Sequence, residues 1–222
     1  AEAIPVALNG QDIIGQAQTG TGKTAAFGLP MLNNIANRKA ISSIILAPTR
    51  ELAIQVHDEL VKLAKYEKLN VVAVYGGAPI HNQIRDIKKA NIVVGTPGRV
   101  LDHIRRGTLP LDSVEFLVLD EADEMLNMGF IDDMEEIMKS IPEERQTLLF
   151  SATMPSQIKK LTKKYLKEDS VHIAIARKEL TGSTITQNFF EVNNSERFET
   201  LCRLIDFDNP SAGIIFCKTK KG

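Results

Sequence analysis

The 222-residue chain is long enough for one substantial domain or one and a fraction, and its 43% apolar and 25% charged residues exclude a disordered polymer. The net charge of −1 does not predict nucleic-acid binding by itself, and no apolar run approaches the length that crosses a bilayer. Two cysteines make no disulfide framework, and four scattered histidines make no zinc site. From the cysteine usage we expect a cytoplasmic protein, and from the short apolar runs we expect no membrane contact.

Short runs rich in Val, Ile and Leu alternate with segments of helical periodicity over most of the chain. The predicted strands are Ile13–Gly15, Ser43–Ala47, Val71–Tyr75, Ile92–Gly95, Phe116–Leu119, Thr147–Phe150 and Val171–Ala174. The predicted helices begin near Lys23, span Glu51–Lys65, and carry Ile80, Ile84 and Ile87 on one face. Pro30 is expected to kink or end the first helix. This alternation favours an α/β fold with a mostly parallel sheet, whose ligands lie beyond the carboxyl ends of the strands.

The pattern changes in the last fifth of the chain, where a segment of loop composition is followed by a few further elements. The predicted elements are a strand over Asn188–Val192, a helix over Arg197–Ile205 and a strand over Gly213–Cys217. Two strands and one helix cannot bury a core. We therefore predict a first domain over residues 1–176, a linker over 177–186, and the truncated start of a second α/β domain over 187–222. Packing of these elements onto the first sheet is the alternative.

A glycine-rich turn lies between the first predicted strand and the first helix. Its residues are Ala17, Gln18, Thr19, Gly20, Thr21, Gly22, Lys23 and Thr24. Backbone N–H groups of such a turn and the positive end of the helix cradle phosphate oxygens. Lys23 can then reach the β- and γ-phosphates, and the Thr24 hydroxyl can bind magnesium. Ala17 stands where the usual pattern has glycine, and a turn that only caps a helix is the alternative.

Two adjacent carboxylates, Asp120 and Glu121, follow the predicted strand Phe116–Leu119. In enzymes with a phosphate-binding turn, the aspartate holds magnesium, usually through water, and a following glutamate orients or deprotonates the attacking water. An acidic helix start stabilised by the helix dipole is the alternative. With the turn upstream, the pair predicts a nucleoside triphosphatase whose catalytic residues are Lys23, Asp120 and Glu121.

Further short sequences stand just past the predicted strands, in a fixed order. They are Pro48–Gln55, Gly76–Gly77, Thr96–Arg99, Asp120–Asp123 and Ser151–Thr153. A sixth, Ile214–Thr219, overlaps the last predicted strand. The tetrad Asp120-Glu121-Ala122-Asp123 spells the name of the DEAD-box ATP-dependent RNA helicases, and the ordered set resembles that family over essentially the whole chain. The resemblance implies a RecA-like P-loop fold, ATP as substrate, Mg²⁺ as cofactor, RNA as partner, and a second domain whose first motif is Ile214–Thr219.

The resemblance also assigns roles to individual residues. Those implied to line the RNA path are Pro48, Thr49, Arg50, Gly76, Gly77, Thr96, Pro97, Gly98 and Arg99. Their contacts would go to phosphates and 2′-hydroxyls, which makes them independent of base sequence but selective for RNA. Ser151 and Thr153 would couple RNA to the nucleotide site through hydrogen bonds at Asp123. Surface salt bridges for each arginine, and simple capping of a strand end for Ser151 and Thr153, are the alternatives.

We weigh three functions: the first two share all of these motifs, whereas Pro48–Gln55 and the acidic tetrad argue against the third. The leading one is an ATP-dependent RNA helicase that unwinds structured RNA locally and releases it on hydrolysis. An ATP-gated RNA clamp or RNA chaperone scaffold is the second, and a DNA translocase is the third. By the resemblance, an adenine-reading segment upstream and the arginine fingers of the second domain are missing. We therefore expect this chain to be a fragment that binds nucleotide weakly and shows almost no RNA-stimulated ATPase alone.

Overall fold

The computed structural model describes residues 2–17, 22–35, 40–174, 186 and 188–217, and these form seven strands and nine helices. The strands are β1 (Ile13–Gln16), β2 (Ser43–Leu46), β3 (Val71–Val74), β4 (Ile92–Gly95), β5 (Phe116–Leu119), β6 (Gln146–Ser151) and β7 (Val171–Ala174). The helices are α1 (Ala3–Leu8), α2 (Lys23–Asn34), α3 (Arg50–Leu63), α4 (Ile80–Ile87), α5 (Pro97–Arg105), α6 (Ala122–Asn127), α7 (Ile131–Ser140), α8 (Ser156–Tyr165) and α9 (Arg197–Asp208). None of these helices is long and apolar enough to cross a membrane.

All seven strands predicted for the first domain are present, and they form one parallel sheet in the order β3-β4-β2-β5-β6-β1-β7. Every residue of β2, β4, β5 and β6 is buried, whereas the edge strands β3 and β7 are partly exposed. Strands that are buried on both faces need apolar side chains at successive positions. The continuous Val, Ile and Leu runs therefore lie in the middle of the sheet, and the predicted α/β fold with a parallel sheet is confirmed.

Side chains of the central strands alternate between two hydrophobic cores, one on each face of the sheet. In β2, Ile44 and Leu46 pack into the core that is covered by α4, α5, α6, α7 and α8. Ile45 points the other way, into the core covered by α1, α2 and α3, where Phe27 is fully buried. Because a strand has a period of two residues, one strand contributes to both cores. Each such fully buried side chain adds about 1.5–3 kcal/mol to the free energy of unfolding.

Because all strands are parallel, their carboxyl ends meet at one edge of the sheet. Gly95 shows how closely the chain passes there, where β4 ends. A Cβ atom on Gly95 would lie 2.6 Å from side-chain atoms of both Val74 and Val100, and 2.7 Å from the Val74 carbonyl oxygen. Only glycine therefore allows β4 to run beside β3 and turn into α5. This packing fixes the loops after β3 and β4 relative to each other.

The helix end predicted at Pro30 is wrong, and the alternative, a kink there, stays a prediction. The helix α2 continues through Pro30 to Asn34, so this proline does not end it. Proline lacks the N–H that would bond to the preceding turn, which costs the helix stability. Pro30, Met31 and Leu32 are buried in the core, however, and their packing outweighs the missing hydrogen bond.

The chain divides into two compact units, residues 1–177 and residues 178–222. In the second unit the predicted helix is confirmed as α9, on which no residue is buried. The strands predicted over 188–192 and 213–217 are wrong, because neither segment forms a strand in the described residues. A strand needs a neighbour to complete its hydrogen bonds, and these segments have none there. The predicted boundaries of the first domain, linker and second domain stay predictions, and residues 175–185, 187 and 218–222 lie outside the described part.

Candidate functional site

The described ends of the glycine-rich turn lie at the carboxyl edge of the sheet. The Ala17 N–H donates to the Ser151 carbonyl oxygen at 3.1 Å, which places the start of the turn beside the end of β6. Gly22 has a left-handed backbone (φ 79°) and precedes the first residue of α2, Lys23. This conformation favours glycine and aims the first N–H groups of the helix back at the turn. The intervening residues of the predicted phosphate site lie outside the described part: Gln18, Thr19, Gly20 and Thr21.

The side chains of Lys23, Asp120 and Glu121 converge above this edge. Lys23 Nζ lies 3.4 Å from Asp120 Oδ1 and 3.7 Å from Glu121 Oε1, although the residues come from α2 and from the end of β5. They line a cleft of about 360 Å³ together with Gly22, Thr24 and residues of α3. Lys23 is 9% exposed and Asp120 only 2%. Lys23, at the start of α2, and the two carboxylates therefore meet in one cleft, as a site for a metal-bound triphosphate requires.

The two carboxylates have perturbed acidity. Burial raises the pKa of Asp120, and the Lys23 ammonium opposes that rise. Burial also raises the pKa of Glu121, again against Lys23, and the Asp120 charge adds to the rise. Such raised values in a cleft are typical of groups that exchange protons during a reaction.

Magnesium fits the donor set of this cleft. Asp120 Oδ1 is buried and has no hydrogen-bond donor, although the Lys23 charge lies nearby. A buried oxygen without a hydrogen-bond donor can coordinate a metal ion or accept a hydrogen bond from a metal-bound water. The Thr24 hydroxyl lines the same cleft. No group of three His, Cys, Asp or Glu side chains in the described residues could hold a metal alone, so substrate phosphates and water would complete the shell, as Mg²⁺ prefers.

A hydrogen-bonded cluster links the acidic tetrad to the end of β6. Asp123 Oδ2 accepts from the Thr153 hydroxyl at 2.7 Å and from the Thr153 N–H at 2.8 Å. The Ser151 hydroxyl accepts from the Asp123 N–H and donates to the Thr153 carbonyl oxygen. Burial alone would raise the pKa of Asp123, but the hydrogen bonds from Thr153 and Ser151 outweigh it and hold the pKa below its usual value. The predicted hydrogen bonds at Asp123 are thus present, and their coupling role stays a prediction.

The residues predicted to contact RNA lie in the loops after β2, β3 and β4. At the first loop, Pro48 is buried, the Thr49 side chain caps α3 by accepting from Leu52 N, and Arg50 is exposed. The Arg50 guanidinium stacks 4.9 Å from the centre of the Tyr75 ring, at the end of β3. This stacking brings the first loop next to the second.

The second and third loops are joined in the same way. The exposed residues Gly76 and Gly77 form a turn after Tyr75, and Gly77 has φ 79°, a value that favours glycine. In the third loop, α5 starts with Thr96 as its cap and Pro97, Gly98 and Arg99 as its first residues. Arg99 Nη1 donates to the Ala78 carbonyl oxygen at 3.0 Å. The structure thus gathers all three predicted loops, and RNA binding by them stays a prediction.

Sequence reasoning missed the buried residues behind these loops. Gln83 bonds to the Tyr75 carbonyl oxygen, to Arg99 and to His103, and no motif marked it. One signal was available. Gln83 follows Ile80 by three residues and precedes Ile87 by four, so it lies on the apolar face of α4. A polar side chain at such a position needs buried hydrogen-bond partners.

Comparison with known proteins places these residues in a family context. The family model described as DEAD/DEAH box helicase matches residues 1–161. The ATP-dependent RNA helicase CshA of Listeria monocytogenes is 56% identical over 99% of the chain, and the DEAD-box ATP-dependent RNA helicase CshA of Bacillus cereus is 53% identical over all of it. The chain spans 42% of the length of each of these relatives.

Two solved structures agree with the fold. A DEAD box protein from Methanococcus jannaschii matches with a TM-score of 0.77 at 50% identity, over 99% of this chain and 59% of that one. A hypothetical ATP-dependent RNA helicase from Sulfolobus tokodaii matches with a TM-score of 0.73 at 39% identity, over 78% of this chain and 51% of that one. These matches confirm the predicted RecA-like α/β fold.

Proposed function

We propose the following function on the premise that this chain belongs to the DEAD/DEAH box helicase family: it is the nucleotide-binding part of an ATP-dependent RNA helicase. One observation carries the proposal. The Lys23 ammonium lies within 3.7 Å of two buried or half-buried carboxylates, in a cleft that Gly22 and Thr24 also line. The chain spans 42% of its relatives' length. RNA unwinding is therefore proposed for a whole protein that contains this chain.

In the proposed hydrolysis, ATP phosphates enter the cleft at the start of α2. Lys23 leaves its ion pairs and donates to the β- and γ-phosphates, whose negative charge it helps to neutralise. Thr24 and Asp120, the latter through water, would hold Mg²⁺, which neutralises phosphate charge when bound. Glu121 orients the attacking water and accepts its proton as the bond to the γ-phosphate forms and ADP leaves. The raised pKa of Glu121 suits a base that works near neutral pH.

Coupling to RNA is proposed to run through Asp123. This residue stands two positions after Glu121 and is hydrogen-bonded to both Ser151 and Thr153. A change at the γ-phosphate would therefore move the ends of β5 and β6 together, because one carboxylate joins them. Two alternative hydrogen-bonded arrangements of such a cluster would let ATP and RNA each favour the same state of the protein.

RNA is proposed to lie across the loops after β2, β3 and β4. Arg50 and Arg99 would bind phosphates, for which their planar fork of donors is suited. The Gly76–Gly77 turn, which has no side chains, would let the strand approach the backbone closely. Contacts of this kind read the sugar-phosphate chain and no base edges, so we propose binding without sequence specificity. The expected cytoplasmic location stays a prediction.

The proposal is tested with the full-length protein that contains this chain. We expect ATP-dependent release of a fluorescent strand from a short RNA duplex, and ATPase activity that RNA stimulates more than DNA does. The variant Glu121→Gln should still bind ATP and RNA, while hydrolysis falls roughly 10²–10⁴-fold because the base is lost. Glu124→Gln, an exposed change in the same segment, is the matched control.

Each alternative has its own outcome in these assays. Long-lived RNA retention with a non-hydrolysable ATP analogue, without strand release, would favour the clamp. Equal stimulation by DNA and RNA would favour the DNA translocase. If the Glu121→Gln variant hydrolyses ATP at the wild-type rate, Glu121 is not the base.

A further inference from the structure

Gln83 is a buried polar residue at the crossing of three segments that the proposed RNA site uses. It is 6% exposed and lies on the face of α4 that packs toward the sheet. Its Nε2 donates to the Tyr75 carbonyl oxygen at 3.0 Å, at the end of β3. Its Oε1 accepts from Arg99 Nη1 at 3.0 Å and is 3.1 Å from His103 Nε2, both on α5. One side-chain amide thus joins the second and third loops.

The directions of these hydrogen bonds follow from the chemistry of the partners. Arg99 can only donate and a carbonyl oxygen can only accept, so the amide of Gln83 has a single orientation. His103 Nε2 must then donate to Gln83 Oε1. Burial is the main cause that lowers the pKa of His103, and the Arg99 charge lowers it further, so the ring is neutral. Nδ1 lies 2.9 Å from the Thr108 hydroxyl, whose single hydrogen is shared between Nδ1 and the His103 carbonyl oxygen 3.1 Å away.

These bonds hold the Arg99 guanidinium in one position. Both hydrogens of Nη1 are used, one by Gln83 and one by the Ala78 carbonyl oxygen. Nε lies 4.0 Å from the Asp102 carboxylate, and the side chain is only 16% exposed. Nη2 has no hydrogen-bond partner within the described residues. The free edge of the guanidinium is thus available to an outside acceptor while the rest is fixed.

The same bonds anchor both sides of the glycine turn. The carbonyl before Gly76–Gly77 belongs to Tyr75, which Gln83 binds directly. The carbonyl after the turn belongs to Ala78, which Arg99 binds. Removal of the Gln83 amide would therefore release Arg99 and one end of the turn together, although Gln83 itself is too buried to touch a ligand.

We propose that Gln83 is a positioning residue for RNA: it fixes Arg99 and the Gly76–Gly77 turn in one geometry that matches the phosphates of a bound strand. This inference rests on the proposed function, because it assigns the RNA contact to Arg99 and the turn. It adds a residue that acts only through them. A pre-organised donor loses less conformational entropy on binding than a mobile one, so its affinity for phosphate is higher.

The experiment compares the full-length protein that contains this chain with its Gln83→Met variant. Methionine has nearly the same length as glutamine but neither donates nor accepts there. We expect the Kd for a fluorescent single-stranded RNA to rise about 10-fold, and the Kd for a fluorescent ADP analogue to stay unchanged. Asn82→Met, the same kind of change at an exposed position of α4, should leave both values unchanged.

Nuclear magnetic resonance measures the mobility of the Arg99 side chain, which would not change if Gln83 only supported the fold. In the wild-type protein we expect a restrained Arg99 side chain and a neutral His103 ring protonated at Nε2. Gln83→Met should leave the fold intact and free the Arg99 guanidinium to rotate. The wild-type spectrum alone tests the network if the variant does not fold, because a mobile Arg99 or an Nδ1-protonated His103 would overturn it.

Failure of the inference is separable from failure of the proposed function. If the wild-type protein binds RNA and Gln83→Met binds it equally well, Gln83 has no positioning role and the RNA site stands. If Arg99 stays restrained in Gln83→Met, the inference is overturned whatever the RNA affinity. If the full-length wild-type protein does not bind RNA at all, the proposed RNA site falls and the inference falls with it.

Discussion

Replacement of Lys23 by methionine tests the charge arrangement on which the nucleotide site depends. Lys23→Met keeps the length and apolar stem of the side chain but removes the only cation that the structure places within 4 Å of Asp120 or Glu121 among the described residues. Asp120 then has neither a hydrogen-bond donor nor an ion pair at Oδ1. A buried carboxylate left without a partner destabilises the folded state strongly.

The size of the loss follows from distance and from proton uptake. Coulomb's law with an effective dielectric constant of about 20 gives about 5 kcal/mol for unit charges at the 3.4 Å between Lys23 Nζ and Asp120 Oδ1. Without Lys23 the pKa of Asp120 rises further, and the carboxyl takes up a proton. The loss in free energy of unfolding then cannot exceed about 1.4 kcal/mol for each pH unit above the unfolded pKa of about 3.9. This limit is about 5 kcal/mol at pH 7.5 and about 2 kcal/mol at pH 5.5.

The sign of the pH dependence is fixed by the same reasoning. A carboxyl whose folded pKa lies above its unfolded pKa binds its proton more tightly in the folded state. Stability therefore falls as pH rises between the two pKa values. We expect Lys23→Met to lower the free energy of unfolding by about 3 kcal/mol near pH 7.5 and by clearly less near pH 5.5.

Urea unfolding, followed by circular dichroism without nucleotide or magnesium, measures this effect. The single variants Lys23→Met and Asp120→Asn and the double variant complete a double-mutant cycle, and the double variant should lose less than the sum of the two singles. Lys163→Met removes an exposed lysine of α8 that makes no ion pair with any described residue, and it serves as the control. If Lys23→Met is as stable as Lys163→Met at both pH values, the ion-pair argument is refuted.

Two further changes test the surroundings of the cleft. Thr153→Val removes the hydroxyl that donates to Asp123 at 2.7 Å. The ATPase activity of the full-length protein should then lose most of its stimulation by RNA, while nucleotide affinity stays the same. Stimulation equal to that of the wild type would contradict the coupling role. Gly95→Ala places a Cβ 2.6 Å from side-chain atoms of Val74 and Val100, so urea unfolding should show a loss of about 1–3 kcal/mol, and an unchanged midpoint would show that β3 and β4 can separate there.

Much of the fold could be predicted because the central strands have no exposed face. Phe116–Leu119 reads as a continuous apolar run, and in the structure every residue of it is buried. The meeting of Lys23 with Asp120 was also predictable, since parallel strands bring the residues after them to one edge. The ends of the strands were less certain because one residue more or less at an end changes few contacts.

Other features depend on contacts that no local pattern contains. The partners of Gln83 come from β3 and α5, so its role cannot be deduced from α4 alone. The apolar runs over 188–192 and 213–217 have the composition of strands, but a strand forms only where a neighbouring strand completes its ladder. Composition predicts which segments are able to form a strand, and the presence of a neighbouring strand decides whether they do.

The backbone at Glu121 shows why the two carboxylates share one cleft. Successive residues of a strand point to opposite faces, so continued β conformation would carry the Glu121 side chain away from Asp120. Glu121 instead has a left-handed backbone (φ 54°, ψ 53°) just before α6 begins. This conformation costs a residue with a Cβ atom about 1–2 kcal/mol. In the structure it brings both carboxylates within 3.7 Å of Lys23. Glycine would adopt the same turn without strain, but it would remove the proposed base, so the proposed chemistry accounts for the strain at this position and stability does not.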